Sequence, residues 1–324
     1  MHLPVAGDEF LAHARVPSAY KQRSLPIDHA TGNAVKTNHC RCGKNRKDHK
    51  ETTFMPPARP LSLVTGASAG IGAAFARELA ARGHDLVLTA RRVERLEALA
   101  QSLRDQHKAS VTVLPADLAD PAAVPQLCEA LEARGLRVDW LINNAGYGVP
   151  GTFEAVDWPV HEAFIRVLMT APAELAWRLL PGMRERGYGR IVNVASLAGH
   201  VPGSAGHTLY AASKAYLIKF SQSLALENRH LGVNVCALCP GFTWSEFHDV
   251  TGSRELMNKL PGFMWQTAED VVREGYEAVE RGDIMHVTGG VNRFIKAMMK
   301  LLPDRLTLWL SARESKRYRV LEEA

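Results

Sequence analysis

From Leu61 onward the chain alternates short apolar runs with longer amphipathic stretches, and that alternation leaves few folds open. The apolar runs fall at 61–65, 85–89, 111–115, 138–142, 190–195, 233–239 and 284–287; each is too short for a buried helix and reads as a strand. The stretches at about 70–82, 93–107, 121–134, 159–186, 210–230 and 267–281 carry apolar residues three and four apart and read as helices. Strands separated by helices must cross over to pair in parallel, and right-handed crossovers cover both faces of the sheet. The expected architecture is therefore α/β: three layers, doubly wound, with a seven-stranded, mostly parallel sheet. No fixed-period repeat is present, which sets solenoids and propellers aside.

Composition narrows the function. An apolar content of 46% with 23% charged residues is that of a soluble globular enzyme. The net charge of +5 is concentrated in residues 1–54, which hold nine Lys/Arg against five Asp/Glu; the remainder is nearly neutral, so nucleic-acid binding by the main domain has no electrostatic support. No run approaches the roughly 18 apolar residues of a membrane span, and the N-terminus lacks the pattern of a signal peptide. The chain is read as cytoplasmic, with its five cysteines as free thiols. Residues 1–58 show no periodicity and read as a disordered extension, and Met55 offers an alternative start. The domain proper is expected over 59–290 and an amphipathic helical tail over 291–324. In the leader, His39, Cys40, Cys42 and His49 invite a zinc reading, but Cys-x-Cys is the wrong spacing and no second cysteine pair follows; no metal site is expected.

The first strand runs into Thr65-Gly66-Ala67-Ser68-Ala69-Gly70-Ile71-Gly72. A glycine-rich turn between a strand and a helix lets a dinucleotide pyrophosphate approach the backbone amides at the positive end of the helix. The alternative is a tight turn with close helix packing; the turn's place in the first β-α unit favours phosphate. NAD-preferring sites usually carry an acidic residue at the end of the second strand. Here Asp85 lies at the wrong end and Arg91-Arg92 follow the exit, where a guanidinium can pair with a 2′-phosphate. NADP(H) is the preferred cofactor and NAD(H) the alternative, unless both arginines simply begin a solvated helix. Asp117-Leu118 after the third strand and Asn143-Asn144-Ala145-Gly146 after the fourth fall on the same carboxyl edge, where open α/β sheets bind ligands.

Ser196 follows the fifth strand, and Tyr210 with Lys214 sit four apart on a helical face. A nearby ammonium stabilises a phenolate and lowers its pKa, so Tyr210 can exchange a proton with a carbonyl or alcohol oxygen. Ser196 would hydrogen-bond the same oxygen.

In these motifs the chain resembles the short-chain dehydrogenases/reductases of the common single-domain type, over roughly residues 60–290. The matching positions are Thr65 to Gly72, Asn143 to Gly146, Ser196, Tyr210 with Lys214, and Pro240-Gly241-Phe242-Thr243. The resemblance implies a Rossmann fold, a nicotinamide cofactor, and hydride transfer to or from a carbonyl or alcohol carbon. It further implies that Ser196, Tyr210 and Lys214 are catalytic and that Lys214 also bonds the nicotinamide ribose. Thr243, after the Pro240-Gly241 turn, would help place the carboxamide. The cofactor would contact Gly66, Ser68, Ala69, Gly70, Ile71, Gly72, Arg91, Asp117, Leu118, Asn143, Ala145 and Gly146, with Pro240 and Gly241. Homodimers or homotetramers are expected from the family alone.

One departure stands out. The family usually places an Asn in the helix before Leu180-Pro181-Gly182, where it holds a water of the proton relay behind the lysine; here that position falls at Leu168. A leucine side chain cannot hold that water. Thr170 or a backbone carbonyl would have to serve, or the alignment is off by a turn, or turnover is slowed; a catalytically degenerate cofactor-binding protein is the alternative function.

Substrate loops are expected at about 147–157, 197–209 and 242–266. The last holds Phe242, Trp244, Phe247, Met257, Leu260, Phe263, Met264 and Trp265, which fits a lid over a small hydrophobic carbonyl or alcohol substrate, a core cover or a subunit contact. The tail from Arg293 to Leu310 mixes apolar and basic residues. Docking on protein is favoured for it, and peripheral contact with an anionic membrane is the alternative.

Overall fold

A computed structural model describes residues 57–149, 151–206, 208–244 and 261–315, all within the compact unit Thr52–Ala324. The leader, with its cysteines and Met55, lies outside them, as do Phe247, Met257 and Leu260 of the expected lid.

The strands of the main sheet are β1 (Leu61–Thr65), β2 (Asp85–Thr89), β3 (Val111–Val113), β4 (Trp140–Asn143), β5 (Gly189–Val194), β6 (Val233–Cys239) and β9 (Met285–Val287). Their order is β3-β2-β1-β4-β5-β6-β9, and every pairing is parallel. The helices are α1 (Gly70–Ala81), α2 (Val93–His107), α3 (Ala123–Ala133), α4 (Trp158–Ile165), α5 (Ala171–Arg186), α6 (Thr208–Asn228) and α7 (Ala268–Glu280). Two more, α8 (Gly290–Leu301) and α9 (Asp304–Ser315), follow the last strand. The seven-stranded doubly wound Rossmann fold expected from the alternation is the observed one.

Alternation along each strand divides the core into two layers. Val64, Leu86, Leu88, Ile142, Val192 and Leu238 pack under Phe75, Leu79, Leu96, Val271 and Val279. Their neighbours Leu63, Val87, Leu141, Ile191 and Val235 face the other way, onto Leu127, Leu131, Phe164, Leu175 and Met183. Burial on both faces is why the strands read as unbroken apolar runs, and each such side chain contributes about 1.5–3 kcal/mol. The strand order reverses between β1 and β4, so the carboxyl ends of these strands open the crevice in which such sheets bind ligands.

The structure departs from the expected pattern in two places. Residues 159–186 are not one α-helix: a π-helical turn, Arg166–Thr170, separates α4 from α5. Ala171 N–H donates to the carbonyl of Arg166, five residues back, and Pro172 has no N–H to offer Leu168 four residues back. The carbonyls of Val167 and Leu168 thus lack their usual α-helical donors. Second, Phe242–Thr243 (β7) and Trp265–Gln266 (β8) form a small parallel pair of their own. It holds the two described ends of the expected lid together, with Trp244 stacked on Trp265 at 4.1 Å between ring centres.

Candidate active site

The glycine turn is built for close approach. Gly66 has φ of 66°, which only glycine adopts without strain, and a Cβ on Gly72 would stand 2.5 Å from Asn144 Nδ2. Thr65 and Asn144 lock the turn to the end of β4. The Thr65 hydroxyl accepts from the amides of Asn144 and Ala145, both at 3.0 Å, while Asn144 Nδ2 donates to the carbonyls of Thr65 and Gly66 at 3.0 and 3.3 Å. The helix that follows has Ala69 at its N-cap, with no side-chain cap and no acidic residue in its first turn. The positive end of α1 therefore faces solvent without an internal anion, and Ser68, Ala69, Gly70 and Ile71 around it are only partly covered.

Arg91 and Arg92 both stand exposed beyond β2. It is Arg92 that reaches the turn, its Nε donating to Ser68 Oγ at 3.1 Å. Arg91 lies on the side of Tyr147 and Asp117, close enough for both charges to act on the Tyr147 phenol. Asp117 is exposed and accepts from Ala119 N–H at 3.1 Å, an Asx turn, while Leu118 is buried in the core. Asn143 turns its side chain inward: Nδ2 donates to Asn193 Oδ1 at 2.8 Å and to the carbonyl of Pro172 at 3.2 Å, and Oδ1 is buried without a partner. Ala145 and Gly146 remain at the sheet edge, with Leu168 buried beside Gly146.

The candidate catalytic side chains meet at the ends of β5 and β6. Ser196 opens a short turn and accepts from Ala198 N–H at 3.1 Å, and its hydroxyl hydrogen-bonds the phenol oxygen of Tyr210. One helical turn on, Lys214 Nζ lies 5.6 Å from the centre of the Tyr210 ring and donates to the carbonyl of Val194 at 2.8 Å. The carbonyl of Pro240 accepts from Leu197 N–H at 2.8 Å, so the Pro240-Gly241 turn braces the serine loop, and Thr243 Oγ1 donates to the carbonyl of Gly241 at 3.2 Å. Ser196, Tyr210, Lys214, Pro240, Gly241 and Thr243 thus form one group.

Burial decides the titration of this group in the chain by itself. It lowers Lys214 from its ordinary value to about 8, and it raises the Tyr210 phenol, against the opposing hydrogen bond from Ser196. The lowering of Tyr210 by Lys214 expected from their spacing does not appear in the chain alone, where burial is the dominant influence on the phenol.

Sequence reasoning missed three features. Asn144, next to the position singled out, holds the turn. The π turn carried a readable signal in Pro172. His161 lines the cleft beside Tyr210 with Phe153 and Leu209; its Nε2 donates to the carbonyl of Phe153 at 2.6 Å, and Nδ1 is buried without a partner. Among the described residues no three His, Cys, Asp or Glu side chains cluster as a metal ion requires, and no helix is long and apolar enough to cross a membrane.

Comparison with known proteins identifies the family. The family described as short chain dehydrogenase matches residues 61–255. Nodulation protein G of Rhizobium sp. (strain N33) is 36% identical over 239 residues, 71% of this chain and 96% of the relative. The 3-oxoacyl-[acyl-carrier-protein] reductase FabG of Escherichia coli is 30% identical over 240 residues, again 71% and 96%. A short-chain dehydrogenase from Sphingobium yanoikuyae in complex with NADPH superposes with a TM-score of 0.65 at 32% identity, covering 76% of this chain and 97% of that one. The chain belongs to the short-chain dehydrogenase/reductase family, whose members are oxidoreductases acting between CH–OH and C=O.

Proposed function

We propose that the protein is an NADP(H)-dependent oxidoreductase that reduces the carbonyl of a small hydrophobic substrate, or runs the reverse reaction. The observation that carries this reading is the Ser196–Tyr210 hydroxyl pair, with Lys214 one turn below it at the carboxyl edge of the sheet. The uncapped N-terminus of α1, the close packing of the turn at Gly72, and Ser68 with Arg92 fit the phosphates of a dinucleotide. That cofactor, when bound, supplies or accepts the hydride.

The chain's own residues do the rest. Ser196 donates a hydrogen bond to the substrate oxygen and stabilises the charge developing on it. Tyr210 delivers its phenolic proton to that oxygen, a transfer that the raised pKa keeps available at neutral pH. Lys214 replenishes the proton and, as a cation, steadies the phenolate left behind. Val149, Phe153, Phe164 and Leu209 line the cleft beside Tyr210 and suit an apolar body on the substrate.

The degenerate alternative rested on Leu168. The π turn favours the active reading: with Pro172 unable to donate and Ala171 bonded to Arg166, the backbone carbonyls of Val167 and Leu168 lack α-helical donors, which supports a relay water held by backbone rather than by the leucine side chain. NADP(H) as the preferred cofactor and a homo-oligomeric state belong to the same proposal; the NADPH complex of the Sphingobium enzyme supports the first. The test is titration with NADPH and NADH, followed by a panel of hydrophobic ketones and aldehydes read at the reduced-nicotinamide band. Selective NADPH binding with consumption supports the reading, and binding without consumption across the panel favours the degenerate protein.

A further inference from the structure

We infer that α8 and α9 form a docking surface for an anionic lipid membrane. Both helices are built inside out. In α8 the polar Asn292 is buried, donating to the carbonyl of Thr288 at 2.9 Å, whereas Phe294, Met298 and Leu301, spaced to share one face, look outward. Phe294 and Leu301 are 66% and 79% exposed. In α9 the polar Thr307 is buried and Ser311 donates to the carbonyl of Gly203 at 2.8 Å, whereas Leu308 and Trp309 are more than half exposed. A helix that faces water shows the reverse distribution. Five large apolar side chains on two consecutive helices need an apolar neighbour.

Charge selects that neighbour. Residues 290–315 carry Arg293, Lys296, Lys300, Arg305 and Arg313 against Asp304 and Glu314, and Lys300, Arg305 and Arg313 are exposed beside the apolar stripe. A second copy docking through a two-fold axis would set this basic face against itself. Nucleic acid would match the charge but not Phe294, Leu301 or Leu308. An anionic lipid surface matches both: acyl chains take the apolar side chains, Trp309 sits at the headgroup level, and the basic side chains meet phosphate and carboxylate. The Ser311–Gly203 bond ties α9 to the loop that supplies Gly206 to the cleft beside Tyr210, so docking sets that wall of the cleft against the lipid. The docking itself does not depend on the carbonyl-reductase reading.

Flotation of the full chain with vesicles tests this. With about one-third phosphatidylserine in phosphatidylcholine the protein is expected to float, and with phosphatidylcholine alone to stay behind. Phe294→Glu combined with Leu301→Glu should abolish flotation, and Lys300→Glu combined with Arg305→Glu should weaken it about tenfold or more. NADPH affinity and thermal unfolding serve as controls, since all four side chains are exposed and lie outside the cofactor site. Failure of the wild-type chain to float with anionic vesicles overturns the inference. So does a drop in solution mass of the Phe294/Leu301 variant by light scattering, which would make the face a contact between copies. Inactivity toward every ketone, with flotation intact, would count against the catalytic reading alone.

Discussion

Lys214 Nζ is held 5.6 Å from the centre of the Tyr210 ring by a hydrogen bond to the carbonyl of Val194, in a site that lowers its pKa to about 8. A cation kept against the pull of burial opposes folding, and the size of that opposition follows from the shift. The folded-state value lies below the ordinary 10.5, so the cost is full below pH 8 and fades as pH rises toward 10.5. Lys214→Met is expected to abolish turnover yet stabilise the fold at pH 7. Its gain is on the order of 3 kcal/mol from the removed charge, reduced by about 1 kcal/mol for the lost Val194 bond. Thermal unfolding of both proteins at pH 7 and pH 10 checks this: the difference should shrink at the higher pH, and a destabilised variant at pH 7 contradicts it.

At the other end of the crevice, Gly72→Ala sets a methyl group against Asn144 and the backbone of Gly66. The expected result is a loss of about 1–3 kcal/mol of stability by denaturant unfolding and a weaker NADPH complex, because the same contact fixes the turn. An unchanged NADPH affinity would show that the turn is not the phosphate site.

The two arginines after β2 are separable by measurement. Arg92 touches Ser68 in the turn and Arg91 does not, so Arg92→Ala should weaken NADPH by roughly 10- to 100-fold with little effect on NADH, the range of one charge-assisted pair. Arg91→Ala should have the smaller effect on that selectivity. A larger loss from Arg91 would return the 2′-phosphate to the residue favoured by sequence.

The architecture was legible because its cause is local. Strands β1, β2 and β6 and helix α2 coincide with the apolar runs and helical periods read from sequence, since burial on both sheet faces imposes those runs directly. The site was legible in residue type and less so in geometry. Asn143 ends β4 at the ligand edge as read, and its side chain turns inward to Asn193; neither direction of an Asn side chain is written in its neighbours. Tyr210 illustrates a second limit: spacing placed the ammonium beside it, whereas burial, a property of the whole fold, set the direction of its pKa. The π turn was hidden by apolar periodicity on both sides of it, although Pro172 announced a missing donor.

That turn yields its own prediction. Leu168→Asn should change turnover little, because the backbone already offers acceptors there. Pro172→Ala supplies an N–H to the Leu168 carbonyl and should slow turnover by roughly tenfold, part of the 10²–10⁴ that proton transfer contributes, while leaving unfolding temperature equal or higher. A large gain from Leu168→Asn would instead mean that the missing side chain limits the enzyme.

The central claim, that Tyr210 is the proton donor, is tested most directly by single-turnover oxidation of bound NADPH with a hydrophobic ketone in the wild-type chain and in Tyr210→Phe. The account predicts NADPH affinity nearly unchanged and a rate lower by about 10²–10⁴. A Phe variant that oxidises NADPH at the wild-type rate would contradict it.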